Sequence, residues 1–233
     1  MTAPQTPVSR PRLSTSMTAM LITLPALAVI IAIVIAVSTA NRPRPPAPAA
    51  GADGAAAVVD SDSHVLDEGG GGAPTLVEFL DFECEACGAL YPHVEQIREQ
   101  YRGRLNYVVR YFPLPGHANS MNAALAVEAA AQQDRFEEMY RKMFETQAEW
   151  GERQSSEAPR FRGFAQQLGL DLAAYDAAVA DSATRARVEK DVAAGQSLGV
   201  SSTPTFFLNG EMLQLSRLSD LTDALDGAIA DAS

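Results

Sequence analysis

Cys84 and Cys87 follow an apolar run, Thr75-Leu76-Val77-Glu78-Phe79-Leu80, and precede a helical stretch that reaches about Tyr101. This junction constrains the fold more than any other feature. A short run that is apolar at nearly every position reads as a central strand covered on both faces, as in an α/β sheet. Ala89, Leu90, Pro92, Val94 and Ile97 supply the apolar positions of the helix that follows. The cysteine pair therefore sits where a strand ends and a helix begins. Unpaired backbone N–H groups and the helix dipole favour an anion there, which stabilises a thiolate at Cys84. A three-residue step along a helix also lets two sulfurs close a small ring. Cys84, at the start of the turn, is expected to be exposed and nucleophilic. Cys87, one turn inside, is expected to be covered and to displace whatever Cys84 has captured.

Two competing uses of the pair are weaker. A zinc site needs two further ligands. The chain has no other cysteine, and His64, His93 and His117 have no zinc-like spacing. An inert disulfide across two residues closes almost no loop and stabilises little. Redox chemistry fits the strand–CxxC–helix context best. Glu78 is the anomaly of the strand, since on alternation it shares a face with Leu76 and Leu80. Either the strand is an edge with Glu78 in solvent, or Glu78 is a buried acid with a raised pKa, available for proton transfer.

A second element lies far along the chain. Gly199-Val200-Ser201-Ser202-Thr203-Pro204-Thr205-Phe206-Phe207-Leu208-Asn209-Gly210 reads as a turn, a strand opened by proline, and an Asn-Gly turn. Met212 to Leu215 is expected to form the returning strand. Pro204 is either an ordinary strand-opening proline or part of a cis Thr203–Pro204 bond facing the cysteines.

Together with Glu78-Phe79-Leu80-Asp81-Phe82-Glu83-Cys84-Glu85-Ala86-Cys87 and Val109-Arg110-Tyr111-Phe112-Pro113-Leu114, this segment resembles the DsbA-like thiol–disulfide oxidoreductases. More narrowly, it resembles the membrane-anchored bacterial kind with an extracytoplasmic thioredoxin-fold domain. The resemblance covers about residues 64–231. It implies Cys84 as the attacking cysteine, Cys87 as the resolving one, Glu78 as the buried acid, and Thr203–Pro204 as the cis-proline loop along which substrate is held. It implies no metal or organic cofactor. One departure is that many members carry Pro followed by His or Tyr between the cysteines, whereas this chain has Glu85 and Ala86. Glu83 and Glu85 flank the nucleophile. Like charge is expected to raise the pKa of Cys84 and make the pair less oxidising than the strongest members.

The rest of the chain fits that architecture. Residues from Arg104 to Phe112 contain a strand-like run. Helical stretches follow at Asn122–Gln133, Arg135–Gln147, Pro159–Leu168 and Leu172–Ser197, with a last helix from Leu218 to Ile229. The expected fold is α/β: a thioredoxin fold with an inserted helical subdomain at about 117–197. Met143 and the aromatics of the insertion are expected in the core; His117 is read either as a residue near the active face or, preferred, as a histidine in a surface loop.

Between Arg12 and Arg42 there is no charged residue. The apolar part, about Met17 to Val37, is long enough to span a hydrocarbon core of about 30 Å, and a membrane helix tolerates Pro25. Its length exceeds the signal-peptide norm of about 7–15 residues, which favours a retained anchor. The small residues Ser38-Thr39-Ala40 support the competing reading, cleavage near Ala40 and secretion. Pro43, Pro45, Pro46 and Pro48 favour an extended tether. The expected organisation is a cytoplasmic N-terminus (1–16), a transmembrane anchor (17–37), a Pro/Ala-rich flexible linker (38–63) and the folded domain (64–233).

All 29 acidic residues lie after residue 50, against 14 of the 18 basic ones, so that portion has a net charge of −15 within the chain's −11. Such a surface repels phosphate, which argues against nucleic acid as a partner. The expected activity is thiol–disulfide exchange on cysteine-containing exported proteins, in the direction of disulfide formation. By the resemblance, a quinone-linked membrane partner would recycle the pair. Disulfide formation places the domain outside the cell membrane. A reductase or isomerase of the same fold is the first alternative, supported by the acidic Glu85. A non-catalytic binding domain is the second.

Overall fold

The computed structural model describes residues 58–232, so the expected anchor and most of the linker lie outside the described residues. Among the described residues, no helix is long and apolar enough to cross a membrane. Five strands, His64–Asp67 (β1), Thr75–Leu80 (β2), Asn106–Tyr111 (β3), Thr205–Leu208 (β4) and Glu211–Met212 (β5), form one sheet in the order β1–β3–β2–β4–β5. β2 and β3 run parallel and the other pairs antiparallel. A parallel pair needs a crossover, and the helix α1, Glu85–Gln100, supplies it.

β2 is central, as its continuous apolar sequence predicts. Glu78 lies opposite Val109 on β3 and Phe206 on β4, which excludes the edge-strand alternative. The pleat divides the strand between two cores. Leu76 and Leu80 join the larger one, with Val94 and Ile97 of α1 and the aromatic residues of the helical insertion. Val77 and Phe79 join the smaller one, with Val108, Phe112, Val200 and Phe207.

The insertion contains α2 (Ser120–Ala131), α3 (Phe136–Glu145), α4 (Gln147–Trp150), α5 (Ala158–Gln167), α6 (Leu172–Ala180) and α7 (Ser182–Ser197). α2 is its hub and touches α3, α5, α6 and α7. Its buried residues include Ala123, Ala124, Ala126, Ala129 and Ala130, whose small side chains let four neighbours approach one helix. Met143, Tyr140, Phe144, Phe161 and Phe164 are core residues, whereas Phe136 is half-buried and packs against that core. α7 also closes the second face of the sheet. A Cβ on its Gly195 would lie 2.8 Å from the Phe112 ring and 3.0 Å from that of Phe79. α8, Leu218–Asp231, ends the described chain and buries Leu221, Leu225 and Ile229.

Three expectations about elements need correction. Leu172–Ser197 is two helices, because extended Asp181 ends α6 and its side chain caps α7 by accepting from Ala183 N at 2.9 Å. The strand returning from the Asn-Gly turn stops at Met212 rather than Leu215. Residues 58–63, assigned to the linker on composition, are packed against the domain. Val58 is buried in the smaller core, and its carbonyl accepts from Arg110 Nη1 at 2.9 Å. Lys190 holds Asp60 and Asp62 at 2.9 and 3.0 Å. Burial of Val58 and the Arg110 bond to its carbonyl anchor this short stretch, and the exposed Lys190 pairs add to that.

Candidate active site

Cys84 is the N-cap of α1, with extended backbone at φ −64° and ψ 121°. Its N–H donates to Asp81 O at 3.1 Å, which tightens the chain as it leaves β2. Its carbonyl accepts the first helical bond from Gly88 N at 3.0 Å. Both cysteines are free thiols. Cys87 is 1% exposed, as expected for the inner position. Cys84 is 7% exposed, which corrects the expectation of an open nucleophile. The cause is the loop before β4: Cys84 Sγ donates to Thr203 O at 3.4 Å. That contact brings the two distant motifs of the sequence together at one sulfur, and the Thr203–Pro204 peptide is cis.

The electrostatics separate the two thiols. The Cys84 pKa falls from the ordinary 9.0 to about 5. Hydrogen bonding from Cys87 is the main cause; Thr203 and the backbone N–H groups of Cys87 and Ala86 add to it, while burial opposes it. The buried Thr203 hydroxyl has no hydrogen-bond partner among the described residues, which leaves it free to donate to the thiolate. Burial pushes the Cys87 thiol well above its ordinary value, reinforced by its bond to Cys84 and the charge of Glu78. These directions overturn the expectation that Glu83 and Glu85 would raise the pKa of Cys84. Glu83 is buried and committed to Asn119, its Oε2 accepting from Asn119 N at 2.6 Å, and Glu85 is exposed to solvent.

Glu78 is 2% exposed and accepts a hydrogen bond from the Tyr107 hydroxyl. Burial raises its pKa to about 7, against the lowering effect of that bond. A carboxyl that titrates near neutral pH, with its charge felt at both sulfurs, can take or release a proton there.

Sequence reading gives Asp81, Tyr107 and Gln147 no role at the site, and His117 follows the less favoured of its two readings, the one near the active face. Asp81 is fully buried and organises the turn, accepting from Glu83 N at 2.9 Å, Leu114 N at 3.0 Å and His117 Nδ1 at 2.6 Å. Burial raises its pKa despite those bonds. His117 is thus tied to the active-site turn instead of standing free in a surface loop. Its own pKa is opposed by burial but raised by Asp81 and, further off, by Cys84. Gln147 Nε2 donates to Phe82 O and Cys84 O, both at 2.8 Å. An acid placed immediately after a buried strand was a readable signal for Asp81. Nothing local marked Tyr107 and Gln147, because their partners are distant in sequence.

The family profile Thioredoxin_4, described as thioredoxin, matches residues 69–227. The chain belongs to that thioredoxin family. Among solved structures, this family member resembles α-DsbA1 of Wolbachia pipientis, with a TM-score of 0.66, 19% identity and coverage of 75% of this chain and 94% of the other. It also resembles a thioredoxin-like oxidoreductase of Silicibacter pomeroyi, with a TM-score of 0.63, 25% identity and coverage of 77% and 98%. Among curated proteins it is 37% identical over 141 residues to the Na(+)/H(+) antiporter NhaA 1 of a Mycobacterium species, strain KMS. That match takes in 58% of this chain and 22% of the antiporter. The chain therefore spans about a fifth of the length of the curated relatives it matches.

Proposed function

We propose that this thioredoxin-family protein catalyses thiol–disulfide exchange on cysteines of exported proteins, in the direction of disulfide formation. The observation that carries the reading is the divergence of the two thiols: an easily ionised Cys84 over a buried, reluctant Cys87. In the oxidising direction a substrate thiolate attacks the Cys84 sulfur of the Cys84–Cys87 disulfide. The S–S bond breaks, Cys87 leaves and takes up a proton, and a Cys84–substrate disulfide forms. A second substrate thiolate then attacks the substrate sulfur and releases Cys84 as a thiolate. Two electrons have passed from substrate to enzyme, so an oxidising partner must restore the pair. The apolar stretch 17–37 supports a membrane setting for that partner, with the domain on the outer side.

Ionisation sets the direction. A stabilised thiolate favours the reduced enzyme and makes the pair more oxidising. Attacking cysteines span pKa values from about 7 in thioredoxin to about 3.5 in DsbA, and Cys84 lies between them. The equilibrium potential against glutathione is accordingly expected between about −270 and −120 mV, on the oxidising side of thioredoxin. A value at or below about −270 mV would sink the oxidase direction and favour the reductase.

Glu78 supplies the proton traffic at Cys87 in this reading. Its carboxyl titrates near 7, so it is a base above that pH and already protonated below it. Glu78→Gln is expected to slow escape from a preformed mixed disulfide by about 10²-fold at about pH 8. Below about pH 6 the loss should shrink, because the native carboxyl then resembles the amide. Stopped-flow measurement across that range checks it, and a pH-independent loss would remove the proton role.

A further inference from the structure

The active-site turn is gripped from outside its own helix. The side-chain amide of Gln147 offers two N–H groups, and the two carbonyls they meet belong to Phe82 and to the nucleophile itself. Cys84 O therefore has two donors, Gly88 N from within α1 and Gln147 Nε2 from the helical insertion. The grip depends on residue 88 having no side chain. A Cβ on Gly88 would stand 1.9 Å from Gln147 Oε1 and 2.6 Å from its Cδ. Gln147 is itself anchored. Gly151 N donates to its carbonyl at 2.7 Å, and the same short helix ends in fully buried Trp150, packed edge-on against Phe161.

Fixing the Cys84 carbonyl fixes the peptide plane that starts α1. The directions of the next N–H groups, which lie beside the Cys84 sulfur as it donates to Thr203 O, follow from it. We propose that Gln147 is a positioning residue for Cys84: by holding the Phe82 and Cys84 carbonyls it fixes the turn that presents the sulfur at the start of α1, and Gly88 is the space that allows it. This couples the helical insertion directly to the nucleophile. It rests on the exchange reading for its biological meaning, but its test uses no substrate.

The test follows thiolate absorbance of the reduced full-length protein as a function of pH, for Gln147→Met and Gly88→Ala. The first removes the two donors at similar length. The second leaves Gln147 in place but displaces its amide. Each variant is expected to show an about tenfold smaller thiolate-to-thiol ratio at a given pH. Lower thermal stability with an unchanged titration would make the grip merely structural and overturn the proposal. Should Gln147→Met fail to fold, Gln147→Glu keeps the shape while turning an acceptor toward both carbonyls, and an unchanged titration there overturns it equally. If Cys84→Ser retained exchange, the functional reading would fall while this titration still stood.

Discussion

Cys84→Ser is expected to abolish catalysed exchange, whereas Cys87→Ala is expected to accumulate mixed disulfides. The asymmetry follows from geometry. Cys84 sits at the first turn of α1, under Thr203 O, with a pKa of about 5, so at neutral pH it is mostly thiolate. A serine hydroxyl at that place cannot form a disulfide at all, so catalysed oxidation of a reduced substrate should fall to the uncatalysed rate. With Cys87→Ala, Cys84 still attacks a substrate disulfide, but no second thiol displaces the product. The adduct should persist and be visible as a mass increase that reductant removes. The substitution also removes the hydrogen bond that contributes most to Cys84 ionisation, so adduct formation should need a higher pH than in the native protein. A non-catalytic binding domain predicts the opposite: partner capture would survive Cys84→Ser, and no covalent adduct would form with Cys87→Ala. Mass spectrometry of both variants after incubation with an unfolded, disulfide-containing polypeptide separates the readings.

The parts of this site that could be read in the sequence are those written contiguously. Thr75–Leu80 announces a central strand because nearly every position is apolar, and the CxxC follows at once. The proline loop announces itself by its place before a strand and an Asn-Gly turn. What stayed hidden was long-range or a matter of direction. Gln147 lies more than sixty positions from the carbonyls it holds, in a helix whose sequence says nothing of them. His117 reaches Asp81 across a loop, and Tyr107 meets Glu78 only because β2 and β3 pair in parallel. The error on Cys84 ionisation has the same origin. Glu83 and Glu85 are its nearest neighbours in sequence, but one side chain is committed to Asn119 N and the other to solvent. Charge adjacency along a chain does not give charge adjacency in space. The break at Asp181 is local: an Asp-Ser step inside an alanine-rich stretch is a capping sequence, and it ends α6 and starts α7.

Acidification should erase the stability advantage of the reduced form. Cys84 has a folded pKa of about 5 against an ordinary 9.0. A depressed acid stabilises the fold fully above its unfolded pKa and loses that contribution as pH falls through the folded value. The thiolate term is therefore full above about pH 9, worth on the order of 2–3 kcal/mol at pH 7, and gone below about pH 5. It exists only in the dithiol, because a disulfide has no thiolate to stabilise. Glu78 works in the other direction, since its pKa is raised to about 7 by burial. Its contribution is present at low pH and lost as pH rises through that value, but it is shared by both redox forms and largely cancels in their difference. The quantity to measure is thus the Tm of the reduced protein minus that of the oxidised protein. A term of 2–3 kcal/mol in a domain of this size corresponds to roughly 5–10 °C, so the gap should narrow by about that much between pH 7 and pH 4. The potential should follow, with the pair becoming a weaker oxidant as the thiolate is protonated. A gap that stays constant through this range would mean that Cys84 ionises as an ordinary thiol, and the helix terminus, Thr203 and Cys87 would then have no hold on its charge.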